Sequence, residues 1–473
     1  VFEEAIKGEK IVRVHDVLKD LCLKHKKDEL YQKGDRSLMI APLIYKGKSI
    51  GILKLGSPEP GDFGPLDEMV MDHIQPIFSL AIKKALDDLD NQVQRVIKAN
   101  CTAIHPTVEW RFRKAAFQHL ENLRRGEISQ MPSIVFKDVY PLYGISDIRG
   151  STNERNRAIQ KDLSEHLELA LKVVNLAYKA NPILILKELS LRIEQQLEQI
   201  KKGLGSGDEL SVVKFIGNEV ESIFSHLRGF GPKVIRAIEK YEAAIDTGLG
   251  SVYRFRKDFE ESVSILNNKL SLYLDEEEAK AQQIFPHYFE RHQTDGIDYL
   301  IYLGTSLMEK GDFNDLYLKN LRLWQVKVAA GIAWHTEQLK ASLKVPLDTA
   351  HLILIQDTPL SIRFRFDEKR FDVDGAYDVR QEIIKSRLDK AVVKGRKERL
   401  TQPGKIAIVY SHQEEALEMR RHIDFLKAEG YLSGKLENLE LEPLPGVHGL
   451  RSLRIGVNLQ SQILSQRVKQ MAI

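Results

Sequence analysis

The chain has 473 residues, 43% of them hydrophobic and 29% charged, with 70 basic against 67 acidic side chains. That is the balance of a folded protein of roughly three units, at about 100–200 residues each. A net charge of +3 gives no electrostatic footprint for nucleic acid, two cysteines, Cys22 and Cys101, exclude a disulfide framework or a zinc knuckle, and no apolar run is long enough to span a bilayer.

These features predict a cytoplasmic protein with neither nucleic acid nor membrane as a partner. No secretory signal opens the chain. It starts at Val1 rather than at methionine, so an upstream part is expected.

Taken in order, Ser37–Tyr45 (SLMIAPLIY) and Ser49–Leu55 (SIGILKL) are apolar runs around the turn Lys46–Gly47–Lys48, which predicts a hairpin. Gly56–Gly64 is rich in glycine and proline and reads as a loop. A helix follows from Pro65, with Asp67 and Glu68 at its positive end, and runs to about residue 98, bent at Pro76. Another helix is expected over 106–127 and a strand over Val135–Tyr143. Gly144–Thr152 (GISDIRGST) reads as a strand end and a turn.

From Asn153 to about Phe289 the apolar spacing is helical, broken at Gly203–Gly207 and at Gly229–Pro232. A bundle of about five helices is predicted, with its last two at 250–274 and 275–290. Beyond Gln293 the pattern is mixed. Strands are expected at Ile297–Leu303, Thr349–Ile355, Leu360–Phe366, Lys405–Tyr410 and Leu450–Val457, and helices at Leu316–Leu339, Val379–Val393 and Glu414–Glu429. Residues 460–473 read as a frayed tail.

Two resemblances follow from these runs. Residues 1–88 resemble the C-terminal half of a GAF domain. Pro42-Leu43 lies in one strand, Gly51-Ile52-Leu53 in the next, and the Gly61-Asp62-Phe63 loop precedes the terminal helix. The likeness implies a sensory α/β sandwich that binds a small ligand or mediates dimerisation. A homodimer through the helix near 65–98 is then expected.

Ser146–Thr152 (SDIRGST) is similar to the first strand motif of class III nucleotide cyclases. Tyr377–Ala391, Leu400–Val409 (LTQPGKIAIV) and Leu444–Val457 (LPGVHGLRSLRIGV) resemble later motifs of that family, in the same order. The resemblance implies Asp147 as a ligand for Mg2+ or Mn2+, Ile148, Gly150, Ser151 and Thr152 around the nucleotide phosphates, and Arg387 at the transition state. A second metal carboxylate would be Asp295, Asp298 or Asp312. The position that carries the ribose-orienting asparagine in the family is Ile383 here.

The fold class implied is α+β and multidomain. A GAF-like α/β sandwich (1–88) and a helical linker (89–134) precede a ferredoxin-like, cyclase-like domain (135–160 with 285–458). An all-helical insertion (161–284) interrupts that domain, and a tail (459–473) ends the chain.

Each of these residues also has a plainer role. Asp147 caps a turn as readily as it binds metal. Arg149, Arg155 and Arg157 pair with acidic neighbours as readily as with phosphate, Arg387 suits a surface ion pair, and the basic stretch Lys394–Arg399 suits a solvated loop. His105, His287, His292 and His335 lack metal-site spacing, and Trp324 and Trp334 sit at core positions of a helix. Three functions follow: a sensory or regulatory protein with a non-catalytic cyclase-like domain, an active adenylate or guanylate cyclase, or a scaffold that docks a protein partner on the helical insertion.

Overall fold

The computed structural model describes residues 2–23, 27–101, 104–205, 207–374, 388, 391–443, 449–461, 463 and 464. The fold is mixed α and β with several sheets. It falls into two compact units. Val1–Ile104, Glu109–Ile134 and Phe366–Lys369 form the first, and His105–Val108, Val135–Arg365 and Arg370–Ile473 form the second.

In the first unit, α1 (Phe2–Gly8), β1 (Val12–Val14) and α2 (Lys27–Gln32) lead to the expected hairpin, β2 (Ser37–Tyr45) and β3 (Lys48–Ser57). The sheet order is β1-β2-β3, with Val14 opposite Leu38 and Leu43 opposite Gly51. The middle strand is buried on both faces. Leu38 packs with Val14, Val17, Leu23 and Leu30, and Met39 and Ala41 pack with Met71.

Met71 belongs to α3 (Pro65–Asn100), a single helix of 36 residues. The Asp67 carboxylate accepts the Gly64 N–H at 2.7 Å and closes its first turn. Pro76 leaves the helix unbroken. The far half of α3 is partnered by α4 (Pro106–Arg124), where Arg124 donates to Gln92 at 2.9 Å, Gln94 to Glu109 at 3.2 Å, and Arg113 to Asp90.

The second unit is built on a nine-stranded sheet that opens with β4 (Val135–Ile148). This strand runs five residues past the predicted end at Tyr143. Gly144 lies inside it, paired with Tyr299, and a Cβ there would meet the Tyr299 ring at 2.5 Å, so the position favours glycine. Helices α5 (Ser151–Ala180), α6 (Leu184–Lys202), α7 (Asp208–Phe215), α8 (Phe224–Leu227) and α9 (Pro232–Glu242) follow. A π turn over Ile216–Val220 interrupts the segment expected to be one helix. A two-residue hairpin, β5 (Ile245–Asp246) and β6 (Ser251–Val252), then precedes α10 (Phe255–Ile284).

Helix α10 is continuous where two helices were expected. Glu277, just past the expected break at 274–275, is buried, and its carboxylate holds Lys280 at 2.6 Å and Lys327 at 3.3 Å. The stretch after it is also not helical. Tyr288–Thr294 forms β7 and hairpins onto β8 (Gly296–Leu303).

Next come α11 (Asp315–Lys340), β9 (Thr349–Leu354), β10 (Leu360–Arg365), β11 (Arg370–Val373), β12 (Lys405–Tyr410), α12 (Gln413–Ala428), β13 (Leu432–Glu440) and β14 (Arg451–Val457). The sequence reading lacked β7 and β13, which are largely polar, and the four-residue β11. The main path runs β11-β10-β4-β9-β12-β14-β13, with β8 on β4 and β7 on β8. Among the described strands only β9 and β12 are parallel.

Helices α10, α11 and α12 cover one face of this sheet. Leu142, Ile148, Ile297 and Tyr299 pack there with Leu270, Leu274 and Trp324, and Ile353, Ile406 and Ile408 pack with Trp334 and Met419. The opposite face carries Leu352, Ala407 and Val409 under Ala391, Val393 and Leu400, with Ile145 against them. The helical block has its own core of Leu163, Leu167, Val174, Ile193, Val220 and Ile238. Leu464 is buried against the α12 side of the sheet, so the described start of the tail is packed rather than frayed. Most of the helix expected at Val379–Val393 lies outside the described residues. No described helix is long and apolar enough to cross a membrane.

Candidate functional site

Strand β4 ends with Asp147 and Ile148, and the chain turns at Arg149 and Gly150 into α5. Gly150 has φ of +72°, the left-handed region that favours glycine. It is the N-cap of α5 and supplies no side-chain cap, so the first N–H groups of a 30-residue helix have no partner side chain at that position. Ser151, the first helical residue, is buried, whereas Thr152 is exposed.

Two backbone bonds set the turn. Ile148 N–H donates to the Asp295 carbonyl at 2.9 Å, and Arg149 N–H to the Asp348 carbonyl at 2.7 Å. Gly296, opposite Asp147, must be glycine. Its φ is +136°, and a Cβ would meet the Ser146 carbonyl at 2.4 Å.

Side chains alternate along a strand, so Asp147 shares the face of Ile145, away from the helices. Asp298 pairs with Ile145 and therefore lies on that same face, diagonal to Asp147. Such positions are about 7 Å apart, within reach of one small ligand. Both carboxylates are half-buried, and each already has interactions of its own.

Asp295 sits at the tip of the β7–β8 hairpin, where its carboxylate receives Arg155 at 3.4 Å. Asp312 is exposed beyond the far end of β8, whose last residue pairs with Tyr140. Seven strand residues, about 23 Å, separate that end from Asp147. The structure thus brings Asp147, Asp298 and Asp295 to one end of the hairpin and leaves Asp312 at the other.

Arg387 and Ile383 lie outside the described residues. Among the described residues no three of His, Cys, Asp and Glu converge to hold a metal ion. Of the predicted arginines, Arg155 and Arg157 are paired, with Asp295 and Glu154.

Directly beneath the turn is a polar chain that no motif announced. His351 pairs with Ser146 across the sheet and is fully buried. Its Nδ1 lies 2.8 Å from Ser146 Oγ and its Nε2 3.1 Å from Thr349 Oγ1. Thr349 Oγ1 meets Thr336 Oγ1 of α11 at 2.9 Å, and Thr336 donates to the Ile332 carbonyl at 3.0 Å. Burial pushes the imidazole pKa down to about 3, so the ring is neutral at physiological pH. The chain ties the residue before Asp147 to the helical layer.

A second missed residue anchors α5. Asp162 is fully buried and accepts the N–H groups of Arg254, Phe255 and Arg256 at 3.0, 2.8 and 2.8 Å. It therefore satisfies the open start of α10 from another helix. Burial raises its pKa, against the pull of those three donors. The signal was present: Asp162 and His166 stand on the buried stripe of α5 between Ala158 and Ala170, where a charge needs a partner.

No protein-family model and no curated protein matches the chain. Among solved structures, a crystal structure of the guanylyl cyclase Cya2 matches at 12% identity, covering 68% of this chain and 93% of that one, with a TM-score of 0.28. A likeness that distant fixes neither the fold family nor the activity.

Proposed function

We propose that the chain is a regulatory signalling protein whose second unit binds a nucleoside triphosphate at the Asp147–Thr152 turn without cyclising it. The observation that carries this reading is the turn itself. A carboxylate ends a strand, a left-handed glycine follows, and the uncapped N-terminus of a long helix opens beside it. Backbone N–H groups at such a start favour phosphate oxygens.

Mg2+ or Mn2+ takes one or two protein carboxylates and fills its remaining positions with phosphate oxygens and water. Asp147 and Asp298, on one sheet face, suit that share. The cation would neutralise phosphate charge, while Gly150, Ser151 and Thr152 would orient the phosphates through their backbone. Ile383, at the position of the family's ribose-orienting asparagine, cannot hydrogen-bond a sugar through its side chain, which argues against turnover. The GAF-like first unit would pass its signal through α3 as a homodimer.

The paired aspartates favour one alternative, an active cyclase. Purified protein is titrated with a fluorescent ATP or GTP analogue and Mn2+, and unlabelled nucleotide is followed by mass spectrometry for cyclic product. The expected result is metal-dependent binding, weakened at least tenfold by Asp147→Asn, with no product. Product that vanishes in Asp147→Ala would establish a cyclase instead. Absence of any nucleotide binding would sink both readings and leave a scaffold whose helical block docks a partner.

A further inference from the structure

Strand β1 is an edge of the first unit's sheet, and a cleft of about 610 Å3 opens beside it, the size of a small-molecule site. Three segments wall it: the end of α1, β1 itself, and the loop that leads from Gly61 into the first turn of α3. Arg13 pairs with Met39, which packs with Met71 of α3, so the cleft lies on the side of the sheet that α3 covers.

The loop is tied to β1 without any ligand. The Gly61 N–H donates to the His15 carbonyl at 2.7 Å. Gly61 has φ of +77°, and a Cβ there would meet the His15 ring at 2.5 Å. Its bare backbone therefore packs against the imidazole and holds that ring at the cleft.

The acids of the cleft are already engaged. Glu68 receives Arg13 at 2.7 Å, and Glu4 has an interaction of its own. The other two basic side chains, Lys10 and His15, have no side-chain partner among the described residues. What the cleft offers is thus hydrogen-bond donors for an anion. Ile11, Val12 and the half-buried Phe63 add an apolar wall. Glu4 and Glu68 oppose a multiply charged anion such as a phosphate, whereas a single negative charge meets two free bases.

We propose that this cleft binds a small monocarboxylate with an apolar body, its carboxylate received by Lys10 and His15 and its body set against Phe63. The first unit thereby has a chemical input of its own, independent of the nucleotide reading of the second.

The test titrates the full chain by calorimetry with phenylacetate, using phenethylamine and acetate as controls. Phenylacetate should bind one site per chain with a dissociation constant below about 1 mM, acetate at least about tenfold more weakly, and phenethylamine not at all. Lys10→Gln and His15→Gln should each weaken phenylacetate about fivefold or more. Gly61→Ala, which displaces the imidazole without removing it, should weaken it too. Unchanged far-ultraviolet circular dichroism verifies that each variant folds. No phenylacetate binding, equal binding of phenethylamine, or unchanged affinity in the Lys10→Gln, His15→Gln double variant would each overturn the proposal. Tighter binding of a tetrapeptide ending in phenylalanine would replace the small ligand with a chain terminus. Asp147→Asn should leave phenylacetate binding intact; its loss there would move the ligand to the second unit and overturn the proposal as well.

Discussion

The two units handle polarity in opposite ways. The first leaves apolar side chains outside, along α3, and none of its described histidines is buried. The second carries polar groups inside: the Ser146–His351–Thr349–Thr336 chain, Asp162 under α10, and Arg322 between Glu418 and Asp357. An exposed apolar stripe adds affinity for a partner at little cost to the fold. A buried polar group lowers the margin of stability unless every partner is in place, and in return it fixes one arrangement. The second unit is accordingly built to hold its geometry.

Acid separates them most. Burial pushes the pKa of His166, His287 and His335 down to about 4 and that of His351 to about 3, from the usual imidazole value of about 6.5. An unfolded chain takes up these protons near pH 6.5 and the folded second unit does not. The stability contributed is therefore complete above that pH and is lost as pH falls toward 4. Each tenfold displacement of a proton equilibrium is worth about 1.4 kcal/mol, so several kcal/mol are lost in total. Melting followed from pH 8 to 4 should show the second unit failing first; a flat profile would break the contrast.

Arg322 comes next. It is buried on α11 and donates to Glu418 at 3.0 Å, to the Gln356 carbonyl at 3.1 Å, and to Asp357. Arg322→Leu leaves the Glu418 carboxylate with His422 alone and should cost about 3 kcal/mol in urea unfolding. Asp162→Ala leaves the three N–H groups at the start of α10 without their carboxylate and should cost about 2 kcal/mol, with Asp162→Asn recovering part. Gly150→Ala forces a side chain into the left-handed region. It should cost about 1 kcal/mol and weaken nucleotide binding more than it weakens the fold.

What the sequence made legible follows the same division. The β2–β3 hairpin, the start of α3 and helix α11 carry strong apolar periodicity and stand close to where the residues place them. Strands β7 and β13 are polar and borrow their order from neighbours, so the local pattern could not show them. At the site, the turn around Asp147 was visible because glycine and aspartate mark turns. The facing of Asp298 needed the register of the hairpin, which no spacing along one strand contains. His351 gave no signal at all, since a single histidine in the run TAHLIL reads as part of a buried strand.

Helix α5 starts at the Asp147 turn and ends, 30 residues later, at an exposed tip of the helical block, a length of about 45 Å. The three bonds from Asp162 hold it roughly 16 Å from its start. That is the geometry of a lever on a fulcrum. A displacement of about 1 Å at the turn becomes an opposite displacement of about 1.6 Å at Ala180, provided the helix moves as a rigid rod.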